Sequence, residues 1–131
     1  MEQDKRILIN HAMEKAFEAI SSAESNFQNK FYSTCQNRLY YAVFYAVTAL
    51  AYKNDFFTSK HAQLMGWFNK KFIYTDKTFD EKMFQIYKEA FTNRQKSDYD
   101  FLYQPDATEV SASFEEIKYF VKKIKNYLDN F

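Results

Sequence analysis

Two arginines sit where an arginine is costly. Arg38 lies within Asn37-Arg38-Leu39-Tyr40-Tyr41-Ala42-Val43-Phe44-Tyr45-Ala46, a run of aromatic and small residues that is apolar almost all the way round a helix. Arg94 ends an apolar helical stripe and is followed by Gln95-Lys96-Ser97-Asp98-Tyr99-Asp100. A charge embedded in apolar sequence needs a partner, so the two are either a catalytic pair or structural anchors. Partners are at hand. Asp98 and Asp100 flank Tyr99 just beyond Arg94, and breaking a buried pair of this kind by removing one member costs about 3–5 kcal/mol. Arg38 can pair with Asp98 or stack on Tyr41 or Tyr99.

The other residues able to do chemistry are few. Lys60 and His61 are adjacent, a combination that can bind phosphate or, through His61, meet Arg94 in space; it can equally cap or pack a short helix. His11 has no acid or cysteine at ligand spacing and is expected on the surface. No set of His, Cys, Asp and Glu has metal-site spacing, so neither a metal nor another cofactor is expected. Cys35, on an apolar helix, is expected as a small core residue and not a nucleophile. As the single cysteine it excludes an intrachain disulfide and fits a reducing compartment. Of the basic clusters Lys5-Arg6, Lys70-Lys71 and Lys122-Lys123-Lys125, the last alternates with an apolar seam and is a wet helix face. Lys70-Lys71 beside Trp67 and Phe68 is the better nucleic-acid candidate, because ring and cation together can stack a base and hold its phosphate.

The elements that must position these residues are helices. One glycine and one proline in 131 residues leave too little turn punctuation for a sandwich or barrel. Val110, Phe114, Ile117, Val121, Ile124, Leu128 and Phe131 form an unbroken seam at spacings of four and three, preceded by Pro105 and a capping box of Asp106 and Glu109. Thr78 and Glu81 suggest a second capping box, ahead of Phe79, Met83, Ile86 and Ala90; four residues further on, the stripe lands on Arg94. A first helix from about Asp4 to Asn26 carries Leu8, Ala12, Ala16, Ala19, Ala23 and Phe27, small enough for close packing. The helix from about Ser33 to Lys53 is apolar on every side, so it is central or shared between subunits. Its Tyr41, Tyr45 and Tyr52 are the candidate dimer or partner face. Between these two pairs, Ser59–Phe68 is a short helix capped by Thr58 or Ser59. The expectation is one all-α domain over residues 1–131, an up-and-down four-helix bundle with a short extra helix between helices 2 and 3.

Composition limits the partners. Eighteen basic and 17 acidic residues give a net charge of +1, so no global field recruits nucleic acid or an anionic membrane. No stretch approaches the roughly 20 apolar residues that cross a bilayer, and Ile7-Leu8-Ile9 is too short for a signal-peptide core. A cytoplasmic protein is expected.

The stretch from Arg38 to Ala46, then Lys60-His61, then Arg94-x-x-x-Asp98-Tyr99-Asp100, resembles a small stand-alone bacterial and archaeal branch of the HEPN family (higher eukaryotes and prokaryotes nucleotide-binding). The resemblance runs in order over nearly the whole chain. It implies a helical bundle that commonly dimerises and is often paired with a minimal nucleotidyltransferase. Many members of the family are RNases of toxin–antitoxin or phage-defence systems, using an arginine followed four to six residues later by a histidine. There, histidine moves protons at the ribose 2′-OH and the leaving oxygen while arginine steadies the phosphorane. After Arg94 no histidine occurs in that window. The resemblance therefore implies a non-catalytic or degenerate module, a homodimer binding a nucleotide, RNA or a partner protein. Arg38, Lys60, His61 and Arg94 are its candidate phosphate ligands, and Arg94 with Asp98 and Asp100 a structural ion pair. The alternatives are an RNase using Arg94 with Asp98, Tyr99 or His61, and a purely structural adaptor.

Overall fold

The computed structural model describes residues 2–130, so Phe131, the end of the last apolar seam, lies outside them. The described chain is helical without strands: α1 (Glu2–Gln28), α2 (Tyr32–Lys53), a short α3 (His61–Phe68) that continues as a π-helical stretch (Asn69–Thr75), α4 (Glu81–Tyr99) and α5 (Ala107–Asp129). The expected all-α bundle of four long helices and one short insert is the observed architecture. α2 is its hub and packs against α1, α3, α4 and α5.

Two kinds of packing build the core. Along α1, Ala12, Ala16, Ala19 and Ala23 are buried and α1 packs along α2, itself rich in small buried residues such as Ala42, Ala46 and Ala49, and the small side chains let the two backbones approach closely. The rest is aromatic. Phe68 lies 5.6 Å from Tyr87, 5.7 Å from Phe120 and 5.9 Å from Phe72, ring centroid to centroid, joining α3, the π-helical stretch, α4 and α5. The π-helical stretch has a packing reason. Its wider turn buries both Phe72 and Ile73, which an ordinary α-turn after Phe68 would separate onto different faces.

The helix starts differ in how they were foreshadowed. Asp106 caps α5 as expected, its carboxylate accepting from Glu109 N at 2.8 Å. Glu109 does not return the bond; it accepts from the Tyr103 hydroxyl at 2.7 Å. The Thr78–Glu81 capping box does not form. Asp80 is the cap of α4 and accepts from Met83 N, because Phe79 is drawn into the aromatic core with its N–H donating to Phe72 O at 3.2 Å. α3 likewise begins after Lys60 and not after Thr58 or Ser59. Thr58 Oγ1 still organises the turn by accepting from Lys60 N at 3.1 Å.

A chain this poor in glycine still has to stop its helices. Lys30 closes α1 with φ 64°, its N–H donating to Phe27 O at 3.0 Å while Phe31 N donates to Asn26 O at 2.8 Å. Asp55 closes α2 in the same way, with φ 57° and bonds from Asp55 N to Tyr52 O and from Phe56 N to Ala51 O. Both are left-handed caps that favour glycine. Asp55 is also tied to Lys5 by an ion pair of 3.1 Å, which latches the end of α2 onto α1. Lys30 is exposed and has no such ion pair among the described residues. Lys30→Gly is therefore expected to stabilise the fold by about 0.5–1 kcal/mol, read from the midpoint of chemical denaturation; a destabilised variant would show that the lysine side chain contributes more than its backbone strain costs.

Candidate functional site

The sequence puts polar residues at the head of the otherwise apolar α2, and the fold brings that head against the last turns of α4. Asn37 is the junction. Its Oδ1 accepts from Arg38 Nε at 3.2 Å and Arg38 Nη2 at 3.0 Å, while its Nδ2 donates to Asp98 Oδ2 at 3.0 Å and Oδ1 at 3.3 Å. Asp98 Oδ2 also accepts from Arg94 Nε at 3.0 Å. The result is a linear chain, Arg38–Asn37–Asp98–Arg94, holding two guanidinium charges against one carboxylate. Beside it, Ser97 Oγ donates to the buried Gln36 Oε1 at 2.6 Å, a second tie between the same two helices.

Aromatic rings form the floor. The Arg38 guanidinium carbon lies 5.0 Å from the Tyr41 ring centroid; that of Arg94 lies 5.4 Å from Tyr40, 5.6 Å from Tyr41 and 5.8 Å from Tyr99. Arg94 Nη2 also reaches the Tyr41 hydroxyl at 3.5 Å. Rings under a guanidinium stabilise its charge without neutralising it. Among the described residues Arg38 makes no ion pair with a carboxylate.

His61, from the start of α3, completes the cluster. Its ring packs on Phe44 at a centroid distance of 4.4 Å, and its Nδ1 lies 2.9 Å from the hydroxyl of the fully buried Tyr40. Burial, with the neighbouring Arg94 guanidinium, holds the His61 pKa below the ordinary 6.5. Burial raises Tyr40 well above the usual phenol range, against a smaller opposing pull from Arg94. Both groups are therefore neutral at pH 7. We assign the donor role to Tyr40 O–H, since imidazole nitrogen is a better acceptor than phenol oxygen; this puts the ring proton on Nε2. His61 then offers a hydrogen-bond donor.

The sequence-predicted residues fall into three groups. Arg38, His61, Arg94 and Asp98 come together, and Tyr99 borders them, 75% exposed. Lys60 does not join; it is exposed at the start of α3. Asp100 is not a partner of Arg94. It stands just beyond the end of α4, and its carboxylate accepts from Leu102 N at 3.1 Å. The ion pair is thus Arg94–Asp98, with side chains 15% and 25% exposed, at the edge of the bundle and not within it. The tyrosines expected on an open partner face are only half-exposed: Tyr41 lies under the two arginines, Tyr45 under Lys15 and Tyr52 against Phe57. The most exposed apolar side chains are Phe101 and Leu102, just after α4, and Phe31, Phe57 and Tyr74 are also exposed elsewhere on the surface.

The basic aromatic alternative at Trp67 is largely spoken for. Trp67 stacks on Phe56 at 5.0 Å and an interplanar angle of 5°, and Lys71 pairs with Asp76 at 3.2 Å. Cys35 is fully buried, its thiol pushed up to about 11 by burial, and His11 is exposed. No helix among the described residues is long and apolar enough to cross a membrane, and none of their His, Cys, Asp and Glu side chains gather in a group that could hold a metal. The clefts between α1 and the end of α5 and around Tyr74 and Thr78 contain none of the arginine-cluster residues.

Sequence reasoning missed Asn37, Gln36 and Ser97. The available signal was the pair of amides heading an apolar helix one step before Arg38; what they face depends on where α4 ends.

Comparison with known proteins supports the family resemblance read from the sequence. Residues 9–127 match the family described as "HEPN domain". A Methanocaldococcus jannaschii protein named "Putative toxin MJ0142" is 31% identical over 116 residues, 88% of this chain and 78% of its own. A second from that organism, "Putative toxin MJ0605", is 30% identical over 98% of this chain and 94% of its own. A Thermotoga maritima protein named "UPF0332 protein" is 29% identical over 96% of this chain and 89% of its own.

The His61 environment has a pH consequence. Its folded pKa lies below the unfolded 6.5, so between these values the unfolded chain binds the extra proton. The His61 contribution to stability is complete above pH 6.5 and declines as pH falls below it. In thermal melts over roughly pH 5 to 8, His61→Gln should lose stability less steeply on acidification than the unsubstituted protein; parallel pH profiles would place the titration elsewhere.

Proposed function

The chain belongs to the HEPN domain family, and we propose that it is a phosphate-binding module of that family, holding a nucleotide or RNA at the edge where Arg38, His61 and Arg94 meet, without cleaving it. One observation carries the proposal. Arg38 is oriented by a neutral amide oxygen and a ring face and has no carboxylate among the described residues, so its charge is positioned but uncompensated. A guanidinium held in that way suits a phosphate oxygen. The Nε2–H of His61 adds a neutral donor from a third helix.

The same geometry supports binding over chemistry. A general base needs a free nitrogen, and the Tyr40 bond takes Nδ1 while the proton occupies Nε2. Asp98 is a poor substitute, because a carboxylate beside the scissile phosphate repels it. The proposal includes a second copy of the chain, or a nucleotidyltransferase of the kind implied by the family resemblance, covering this edge. Exposed Tyr99, Phe101 and Leu102 border it and suit such a contact.

A second reading, an RNase, is favoured by the proximity of His61 to Arg94 and by the toxin names of two relatives. In it His61, in its other tautomer, takes the ribose 2′-OH proton as that oxygen attacks phosphorus. The 5′ oxygen leaves, taking that proton back from the His61 imidazolium, and Arg94 steadies the phosphorane.

One experiment separates them: titrate a labelled short RNA and AMP, follow RNA integrity, and record the oligomeric state by light scattering. Binding without cleavage, weakened about tenfold or more by Arg38→Ala and by Arg94→Ala, is expected from the loss of a charge-assisted contact. Cleavage abolished by Arg94→Ala and His61→Gln would establish the RNase instead. Binding unchanged in both arginine variants would remove this edge as the site.

A further inference from the structure

We propose that the Asp98 carboxylate occupies the anion seat of this edge in the ligand-free chain, and that an incoming phosphate displaces it. The inference rests on the phosphate-binding reading above and adds how the site is held until it is used.

Asp98 is surrounded as a phosphate would be. Arg94 Nε reaches one carboxylate oxygen at 3.0 Å, and Asn37 Nδ2 reaches both, at 3.0 and 3.3 Å. The donors come from two helices, and the second arginine is moored to the far side of the same amide. A carboxylate and a phosphate oxygen pair ask for the same donors.

The hold on Asp98 is light. Arg94 meets it through Nε alone, while Nη2 is turned to Tyr41 at the limit of hydrogen bonding, 3.5 Å. The pair is therefore not the two-pronged fork that arginine makes with a firmly bound carboxylate. It is also partly open to water, an i,i+4 pair of the kind that contributes little. Asp98 lies in the last turn of α4. Immediately after it the chain leaves the bundle through Tyr99, Asp100, Phe101 and Leu102, with Phe101 97% exposed. Phe101 and Leu102 are both exposed, so neither packs over the carboxylate. A phosphate carries more oxygens and more charge than the carboxylate, and can also draw on Arg38, which has no carboxylate partner among the described residues.

The chain thus carries a competitor for its own ligand. Removing the competing charge while keeping the side-chain shape should open the seat. The test titrates inorganic phosphate and AMP, by calorimetry, into the full chain and the variants Asp98→Asn, Asp98→Ala and Asp100→Asn. Asp100→Asn makes the same change of net charge two residues away, on a carboxylate that does not touch Arg94. The expected result is about tenfold tighter binding in both Asp98 variants and less than about twofold change in Asp100→Asn. Equal or weaker binding in the Asp98 variants, with the unsubstituted chain still binding, would overturn the displacement and leave the phosphate reading standing. Equal tightening in Asp100→Asn would reduce the effect to net charge and overturn it as well. Binding by none of the four proteins would overturn both.

Discussion

A single amide holds the polar edge of this protein together. Asn37 has one acceptor end and one donor end, and it faces a guanidinium with the first and a carboxylate with the second. Reversed, it would set oxygen against oxygen and nitrogen against nitrogen, so its neighbours fix its orientation. Through it two cations from different helices are brought to one edge with only one anion between them. An apolar residue at 37 would leave Arg38 without its anchor and Asp98 with Arg94 alone. The packing of α2 makes this possible. The helix is enclosed on its sides by α1, α4 and α5, so apart from Thr48 and the terminal Lys53 its non-aromatic polar residues lie in its first turns, where Gln36 and Asn37 meet the end of α4.

That confinement also explains why aromatic residues surround the charges. Tyr40 is fully buried and needs a partner for its hydroxyl; His61 supplies it and is thereby fixed in place. Tyr41 supports both arginines with its ring. Arg38 is thus held by a ring face and a neutral amide, an arrangement that orients its charge without cancelling it, while Arg94 is paired with Asp98.

Much of the fold is legible in the residues because its signals are local. The spacing of apolar positions on α1, α2, α4 and α5 identifies four long helices, and Asp106 marks the start of the last. Thr78 misleads because capping residues occur at both 78 and 80, and the choice is made by Phe79, which the aromatic core pulls in before α4 begins. The π-helical stretch is invisible in any 3.6-residue pattern, since the burial of Phe72 and Ile73 together is its only trace. At the site, Arg94 and Asp98 are one helical turn apart and can be paired on paper. Asp100 cannot be separated from Asp98 until the end of α4 is known. Asn37 is the hardest to find, because its role exists only once two helices meet. The aromatic surplus of α2 suggests an open face in sequence. In the fold those rings pack on neighbours or carry the arginines, and the most open apolar residues, Phe101 and Leu102, sit after α4.

The central claim is that the Arg38–Asn37–Asp98–Arg94 chain is a seat for phosphate and not only a staple between α2 and α4. The most direct measurement is nuclear magnetic resonance of the arginine side-chain Nε–Hε groups during titration with AMP. The account predicts that the Arg38 and Arg94 signals shift together and saturate with one affinity. Shifts confined to other residues, with both signals unmoved, would contradict it.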